Sequence, residues 1–332
     1  MQHQYRHLFG PVPSRRLGRS LGVDLVPFKH CSFDCIFCQL GRTTDKTVTR
    51  REYVPTDEVI DELAHWIDSG NTADAITLSG SGEPTLHSRF GEVITFVRDK
   101  TSIPMILLTN ASLLNDPDVR RQAAMANVVK VSLSAWDQAS LEQVNRPHPD
   151  IAFDDLLQGL RLLRRDLEGE MWMEVFLVWG TNATPAEVAR IAELSRDIGP
   201  DRVQLNTAVR PPCEEYAYAV PADLMNDLAG LFTPVAEVIP EYSSESETPG
   251  HASEDDILNL IRRRPCTLSQ ICDVFGMHRN EATKYLGKFT RTGQATMHRK
   301  NNATYFAAVH DETVAETENA RQDRPANETP QG

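Results

Sequence analysis

The chain has 332 residues, 40% of them hydrophobic and 24% charged, and a net charge of −13. This composition excludes a disordered or fibrous protein and leaves room for one large domain and a smaller one. The opening MQHQYRHLFGPV lacks the apolar run of a secretion signal, and no later stretch is apolar for the length of a membrane helix, so a cytoplasmic protein with reduced cysteines and no membrane partner is expected.

From about residue 20 to 235, strand-like runs alternate with amphipathic helix-like runs. The first strand, LGVDLVP (21–27), leads into a loop with Cys31, Cys35 and Cys38, half of the six cysteines. A helix over 56–69 and the strand ADAITLSG (73–80) follow, the strand ending in Gly80-Ser81-Gly82-Glu83-Pro84. Next come a helix over 87–100, the strand PMILLTN (104–110), a helix over 116–126 and the strand VVKVSLSA (128–135). A helix over 153–167, the strand MEVFLVWG (173–180), a helix over 184–199, the strand RVQLNTAV (202–209) and a helix over 221–232 complete the series. The strands are short, β-branched and apolar almost throughout, as parallel strands covered on both faces are. Six βα units predict an α/β fold over residues 1–238, a partial (βα)6 barrel, with a doubly wound open sheet as the alternative of the same period.

Residues 239–253, rich in Ser, Glu, Pro and Gly, read as a linker. Over 254–309 the pattern is one helix (254–265), two helices joined at Gly276, and two strands around a turn at Asn301 and Asn302, together a winged helix. The tail over 310–332 is polar and acidic, and is expected to be disordered. The net acid argues against nonspecific coating of nucleic acid, but nine Lys or Arg stand against Asp273 and Glu281 between Arg262 and Lys300. Arg279, Lys284 and Lys288 fall on the expected recognition helix, and His298, Arg299 and Lys300 on the wing. That face suits phosphates, and winged helices also dock proteins, so nucleic acid or protein is the expected partner, with a solvated helix face as the plain alternative.

Cys31-x3-Cys35-x2-Cys38 offers three thiolates where structural zinc takes four, and Cys213, Cys266 and Cys272 stand far off in sequence. His30 adjoins Cys31 and is an awkward fourth ligand, and a disulfide framework is disfavoured in a reducing compartment. Thiolates also hold iron–sulfur clusters, and three ligands leave one iron open. The CxxxCxxC spacing after the first of six strands, with Phe37 before the last cysteine, resembles the radical S-adenosylmethionine (SAM) superfamily. The resemblance implies that Cys31, Cys35 and Cys38 ligate a [4Fe–4S] cluster whose fourth iron binds SAM. SAM is then cleaved reductively to a 5′-deoxyadenosyl radical that takes a hydrogen atom from a substrate. It also implies an electron donor such as a flavodoxin or ferredoxin.

By the same resemblance Phe37 lies near the adenine. Gly80, Gly82 and Glu83 match a Gly-Gly-Glu motif at the methionine end of SAM, with Ser81 added between the glycines. Asn110, Ser132, Ser134 and Asn206, at the ends of their strands, point to the rest of SAM. Read without it, they are a turn and strand-end caps. Asp137 is an alternative to Ser134 or a helix cap, and Arg210 an anion clamp or a surface residue. Arg15, Arg16 and Arg19 meet an anionic substrate or pair with carboxylates under the barrel. Lys29 and Lys130 are the lysines best placed to face the mouth, and no residue is singled out as catalytic.

The stretch FGPVPSRRLGRSLGVDLVPFKHCSFDCIFCQLGRT, with GEPTL and Asn145-Arg146-Pro147, looks like the radical SAM group related to the tRNA wyosine-base synthases, over residues 7–210. Those synthases carry a second cysteine triad upstream of the first, and here no cysteine precedes Cys31. The resemblance therefore implies a relative with a different substrate, tRNA or another nucleotide. The competing class is an iron–sulfur redox or iron sensor whose winged helix binds DNA; it needs no SAM-binding set.

Overall fold

The structure, a computed structural model, describes residues 5–14, 16–239, 253–300 and 303–309. Arg15, residues 240–252 of the expected linker over 239–253, the turn at Asn301 and Asn302, and the tail from 310 lie outside the described residues.

β1 (Leu8–Ser14) and β2 (Gly18–Val23) form an antiparallel hairpin. β1 is absent from the sequence expectation because Gly10-Pro11 and Pro13-Ser14 read as loop. It is tolerated as an edge strand, where proline's missing N–H costs no ladder bond. Two short strands, β3 (His30–Cys31) and β4 (Asp45–Lys46), pair beyond β2. Then come α1 (Thr56–Asp68), β5 (Ala75–Leu78), a 3-10 turn (Pro84–Leu86), α2 (Phe90–Lys100), β6 (Met105–Thr109), α3 (Pro117–Ala123) and β7 (Val128–Ser132). They are followed by α4 (Gln138–Val144), α5 (Phe153–Asp166), β8 (Glu170–Leu177), α6 (Pro185–Ile198), β9 (Arg202–Thr207), α7 (Ala222–Ala229) and β10 (Glu237–Val238). Each of the six expected strands falls on an observed one. α4, only seven residues long, depends on its cap: Asp137 accepts from Ser140 N at 2.8 Å while Ser140 Oγ accepts from Asp137 N at 3.0 Å. Asp137 is thus the helix cap.

The main sheet runs β1-β2-β5-β6-β7-β8-β9-β10, parallel from β2 to β10. Its two faces differ. Leu21, Val23, Ile76, Leu78, Leu107, Val129, Val131, Met173, Val175 and Leu205 are fully buried in one core under the helices. The alternate positions form a polar inner face of Ser20, Thr77, Lys130, Ser132, Glu174, Gln204 and Asn206. Arg16, at the hairpin turn, pairs with Glu174 on β8 at 2.6 Å. Four strand spacings separate β2 from β8, roughly 19 Å in a flat sheet, beyond the reach of an arginine. The sheet is therefore curled, as a partial barrel requires, and the polar face lies inside.

His87, between the 3-10 turn and α2, is fully buried; Nε2 donates to Val54 O at 2.9 Å and Nδ1 accepts from Arg89 N at 3.2 Å. Only the neutral ring makes both bonds, and burial holds its pKa below the ordinary 6.5. The unfolded chain then binds the proton more readily, so stability is full above about pH 6.5 and falls as pH drops through that value toward the folded pKa. A flatter stability–pH curve in urea melts of His87→Gln, which cannot titrate, is the expected result.

The C-terminal region comprises α8 (Glu254–Arg263), β11 (Cys266–Thr267), α9 (Leu268–Phe275), α10 (Arg279–Arg291), β12 (Ala295–Lys300) and β13 (Ala303–Ala308). Its sheet is ordered β11-β13-β12. Three helices and this sheet enclose a second core with Ile257, Ile271, Leu286, Phe289 and Cys266. α9 ends at Gly276 in the left-handed conformation, φ 59°, which a glycine reaches without strain. α8 packs on β1: Arg263 lies over the Phe9 ring at 4.3 Å, and that ring in turn fills the space a Gly22 side chain would need. No helix among the described residues is long and apolar enough to cross a membrane.

Candidate cluster and SAM site

The three thiols of the loop after β2 each meet a nitrogen donor. Lys29 Nζ donates to Cys38 Sγ at 3.1 Å, Asn145 Nδ2 to Cys35 Sγ at 3.2 Å and Asn110 Nδ2 to Cys31 Sγ at 3.6 Å. Lys29 is held in the left-handed region, φ 58°, strain that the surrounding bonds hold in place. The segment after α4 straps the loop: Asp34 N donates to Asn145 O, Ile36 N to Val144 O and His148 N to Ser32 O. Asn145-Arg146-Pro147, known from sequence only by resemblance, thus has a physical task. Desolvation in the packed loop, with Glu83 nearby, pushes the Cys31 thiol up to about 12. Desolvation and the other two sulfurs raise Cys35 further. Burial opposes the Lys29 charge, but Cys38 beside it, with Cys31 and Cys35, outweighs that and keeps the ammonium protonated.

The Gly80–Glu83 segment lies directly on this loop. Lys29 N donates to Ser81 O at 2.8 Å and Glu83 N to His30 O at 3.1 Å. A Cβ on Gly82 would stand 1.7 Å from His30 O, so only glycine allows the approach. Gly80 has φ 139°, and a Cβ there would meet the Asp24 carboxylate. Asp24 accepts from Ser81 N at 3.0 Å and Ser81 Oγ at 2.5 Å, and pairs with Arg263 of α8 at 3.4 Å. The C-terminal region therefore supports the motif. Arg263→Ala strands a buried carboxylate and should cost about 3 kcal/mol; a denaturation midpoint unchanged from the parent chain would refute this. The Glu83 carboxylate turns inward, accepting from Thr85 N, Thr85 Oγ1, Thr109 Oγ1 and Asn110 N, and burial raises its pKa despite these donors. Its side chain props the motif from within.

The remaining expected residues divide. Asn110 joins the cysteine loop, its Nδ2 also donating to Ser32 Oγ at 2.8 Å. Phe37 stacks on Phe176 with centroids 4.0 Å apart. Ser132 and Asn206 line the inner face, Asn206 donating to Glu174, which also pairs with Lys130 at 2.7 Å and with Arg16. Ser134 Oγ accepts from Phe176 N, a bond that ties β8 to the loop after β7. Arg210 donates to Gln39 Oε1 beside the cysteine loop. Missed in the sequence are Asp24 and Glu174, each a charge inside an apolar strand, which was the available signal.

All six cysteines are free. Among the described residues no three His, Cys, Asp or Glu side chains close on a single metal ion. The fit to a cluster rests on the donor set: three thiols on one loop, each with an N–H donor of the kind that stabilises cluster sulfur.

The sequence profile of the Radical SAM superfamily matches residues 25–195. A UPF0026 protein of Methanocaldococcus jannaschii is 33% identical over 264 residues, 77% of this chain and 82% of that protein. GTPase Obg of Brachyspira hyodysenteriae is 33% identical over 306 residues, 91% of this chain, which spans 45% of that protein. A more distant match, 20% identical over 177 residues, covers 51% of this chain and 49% of the ribosomal RNA large subunit methyltransferase Cfr of Lachnoclostridium phytofermentans. With the thiols, their donors and the glycine motif assembled at one site, these matches lead to one conclusion: the chain belongs to the radical SAM superfamily, whose enzymes use a [4Fe–4S] cluster and S-adenosylmethionine, and to its UPF0026 group.

Proposed function

We propose that this chain modifies RNA, with tRNA the first candidate, by hydrogen abstraction. Residues 1–238 serve as the catalytic domain and 254–309 as a winged-helix domain that meets the substrate. The observation that carries the chemistry is the set of three loop thiols, each paired with a nitrogen donor, against which the Gly80–Glu83 backbone is docked. When bound, the cluster supplies the electron that cleaves SAM to a 5′-deoxyadenosyl radical. Cys31, Cys35 and Cys38 hold it, and Lys29, Asn145 and Asn110 offset the thiolate charge. The backbone of Gly80, Gly82 and Glu83 positions the methionine end of SAM. Phe37, backed by Phe176, forms a wall for the adenine, while Ser132 and Asn206 face the ribose side. Electrons come from a flavodoxin or ferredoxin in the reducing cytoplasm.

RNA is supported by exposed Arg279 and Lys284 on α10, whose Lys288 is paired with Glu254, by exposed Arg299 on β12, by the likeness to the wyosine group, and by the match to the ribosomal RNA methyltransferase. The test is anaerobic reconstitution followed by reduction with SAM, with and without total tRNA. RNA-dependent release of 5′-deoxyadenosine together with a mass-shifted nucleoside is the expected result. SAM cleavage indifferent to RNA would end the substrate assignment, and a cluster that leaves SAM intact while the protein binds duplex DNA would favour the sensor.

A further inference from the structure

We propose that the surface running from β12 to the loop over 211–220 is a track for single-stranded RNA that ends at the cysteine loop; this rests on the RNA reading above. Three aromatic rings stand in solvent beside that loop: Trp179 is 47% exposed, Tyr216 49% and Tyr218 60%. They are the only aromatics among the exposed large hydrophobic residues described, so their exposure is concentrated in one place. An apolar surface that folding leaves open at one site marks a binding surface.

The rings are held in place. Trp179 N donates to Tyr218 O at 3.0 Å, tying the end of β8 to the loop. Tyr216 OH accepts from Arg146 Nη2 at 2.8 Å, on the segment that straps the cysteine loop. Glu214 N donates to Ile36 O at 2.9 Å, between Cys35 and Cys38. On the other side, Lys300 Nζ donates to Arg210 O and Tyr305 OH to Val209 O, each at 3.0 Å, fastening β12 and β13 to the root of the same loop. Thr296, Met297, His298 and Arg299 are exposed on β12, the edge strand of its sheet.

Charge and stacking are thus separated along the track. Near the rings, Arg42 and Arg146 are neutralised by Asp34 and Glu214, so the mouth has little net attraction for phosphate. The exposed positive charge at the strand end is Arg299, while Lys300 beside it is half-buried, its Nζ donating to Arg210 O. This division fits a single strand whose phosphates are held on β12 and whose bases stack on the rings as they approach the site. A duplex, with its bases already stacked, gains nothing from Trp179 or Tyr218. A protein partner would also use Trp, Tyr and Arg, but would bury them in an apolar centre, and the neighbours here are paired charges.

The test is fluorescence anisotropy of labelled oligouridine with the full-length protein. Trp179→Ala with Tyr218→Ala should weaken binding about tenfold or more, and Trp179→Phe with Tyr218→Phe should restore most of it. Arg299→Ala should lower the salt dependence by about one counterion. An oligouridine–oligoadenine duplex should bind the parent chain and the alanine pair alike. If the alanine pair binds oligouridine as the parent does, or if the parent binds tRNA but not oligouridine, the track is wrong and the RNA reading stands. If the parent binds neither tRNA nor oligouridine, the RNA reading falls and the track with it. Both rings are exposed, so an unchanged denaturation midpoint is expected for either pair.

Discussion

Gly82→Ala is expected to lower the unfolding free energy by about 3 kcal/mol or more and to leave the protein unable to retain iron. The added methyl would stand 1.7 Å from His30 O and 2.7 Å from His30 C. Those are backbone atoms, which cannot rotate away as a side chain would. The two loops must separate, breaking Glu83 N to His30 O and Lys29 N to Ser81 O. Movement of Lys29 removes the ammonium from Cys38, so the defect reaches the three loop thiols without altering one. Denaturant melts of the metal-free protein and iron per chain after reconstitution read the two effects separately. A variant with the parent's midpoint and iron content would show that the loops are not packed as described.

Cys35→Ala should have the opposite profile. Burial and the neighbouring sulfurs keep the metal-free thiol protonated, so its removal deletes no charge, and Asn145 loses one weak acceptor. Stability should change by no more than about 1 kcal/mol. Iron retention and 5′-deoxyadenosine formation should both vanish, while Cys213→Ala and Cys272→Ala keep both. Cluster loading of the parent should also quicken as pH rises, because Cys31, pushed up to about 12, must lose its proton to bind iron. Full iron and SAM cleavage in Cys35→Ala would remove the loop from the chemistry.

Much of the fold was legible because its signals are local. Buried parallel strands announce themselves as short apolar runs, and the helices over 56–68, 153–166 and 185–198 by period, the last also by its Thr184 cap. β1 was not legible, since its prolines argue for a loop and only its place at the sheet edge permits a strand. α4 needs the Asp137–Ser140 cap, and β10 exists only as two residues beside β9.

The site divides in the same way. Cys31, Cys35 and Cys38, and the glycines of Gly80–Glu83, lie within two short segments, so the resemblance that carried the cofactor assignment was legible in them. The sequence by itself thus determined the βα series and, through the resemblance, the family and its cofactors, because each depends on residues within a few positions of one another. The tertiary structure alone decided that Glu83 turns inward, that Asp24 joins Ser81 to Arg263, that Asn110 and Asn145 reach the sulfurs, and that three aromatics gather at the mouth. Those partners lie up to hundreds of residues apart, and a hydrogen bond or ion pair depends on distance in space, which the curled sheet and the docked C-terminal helix supply.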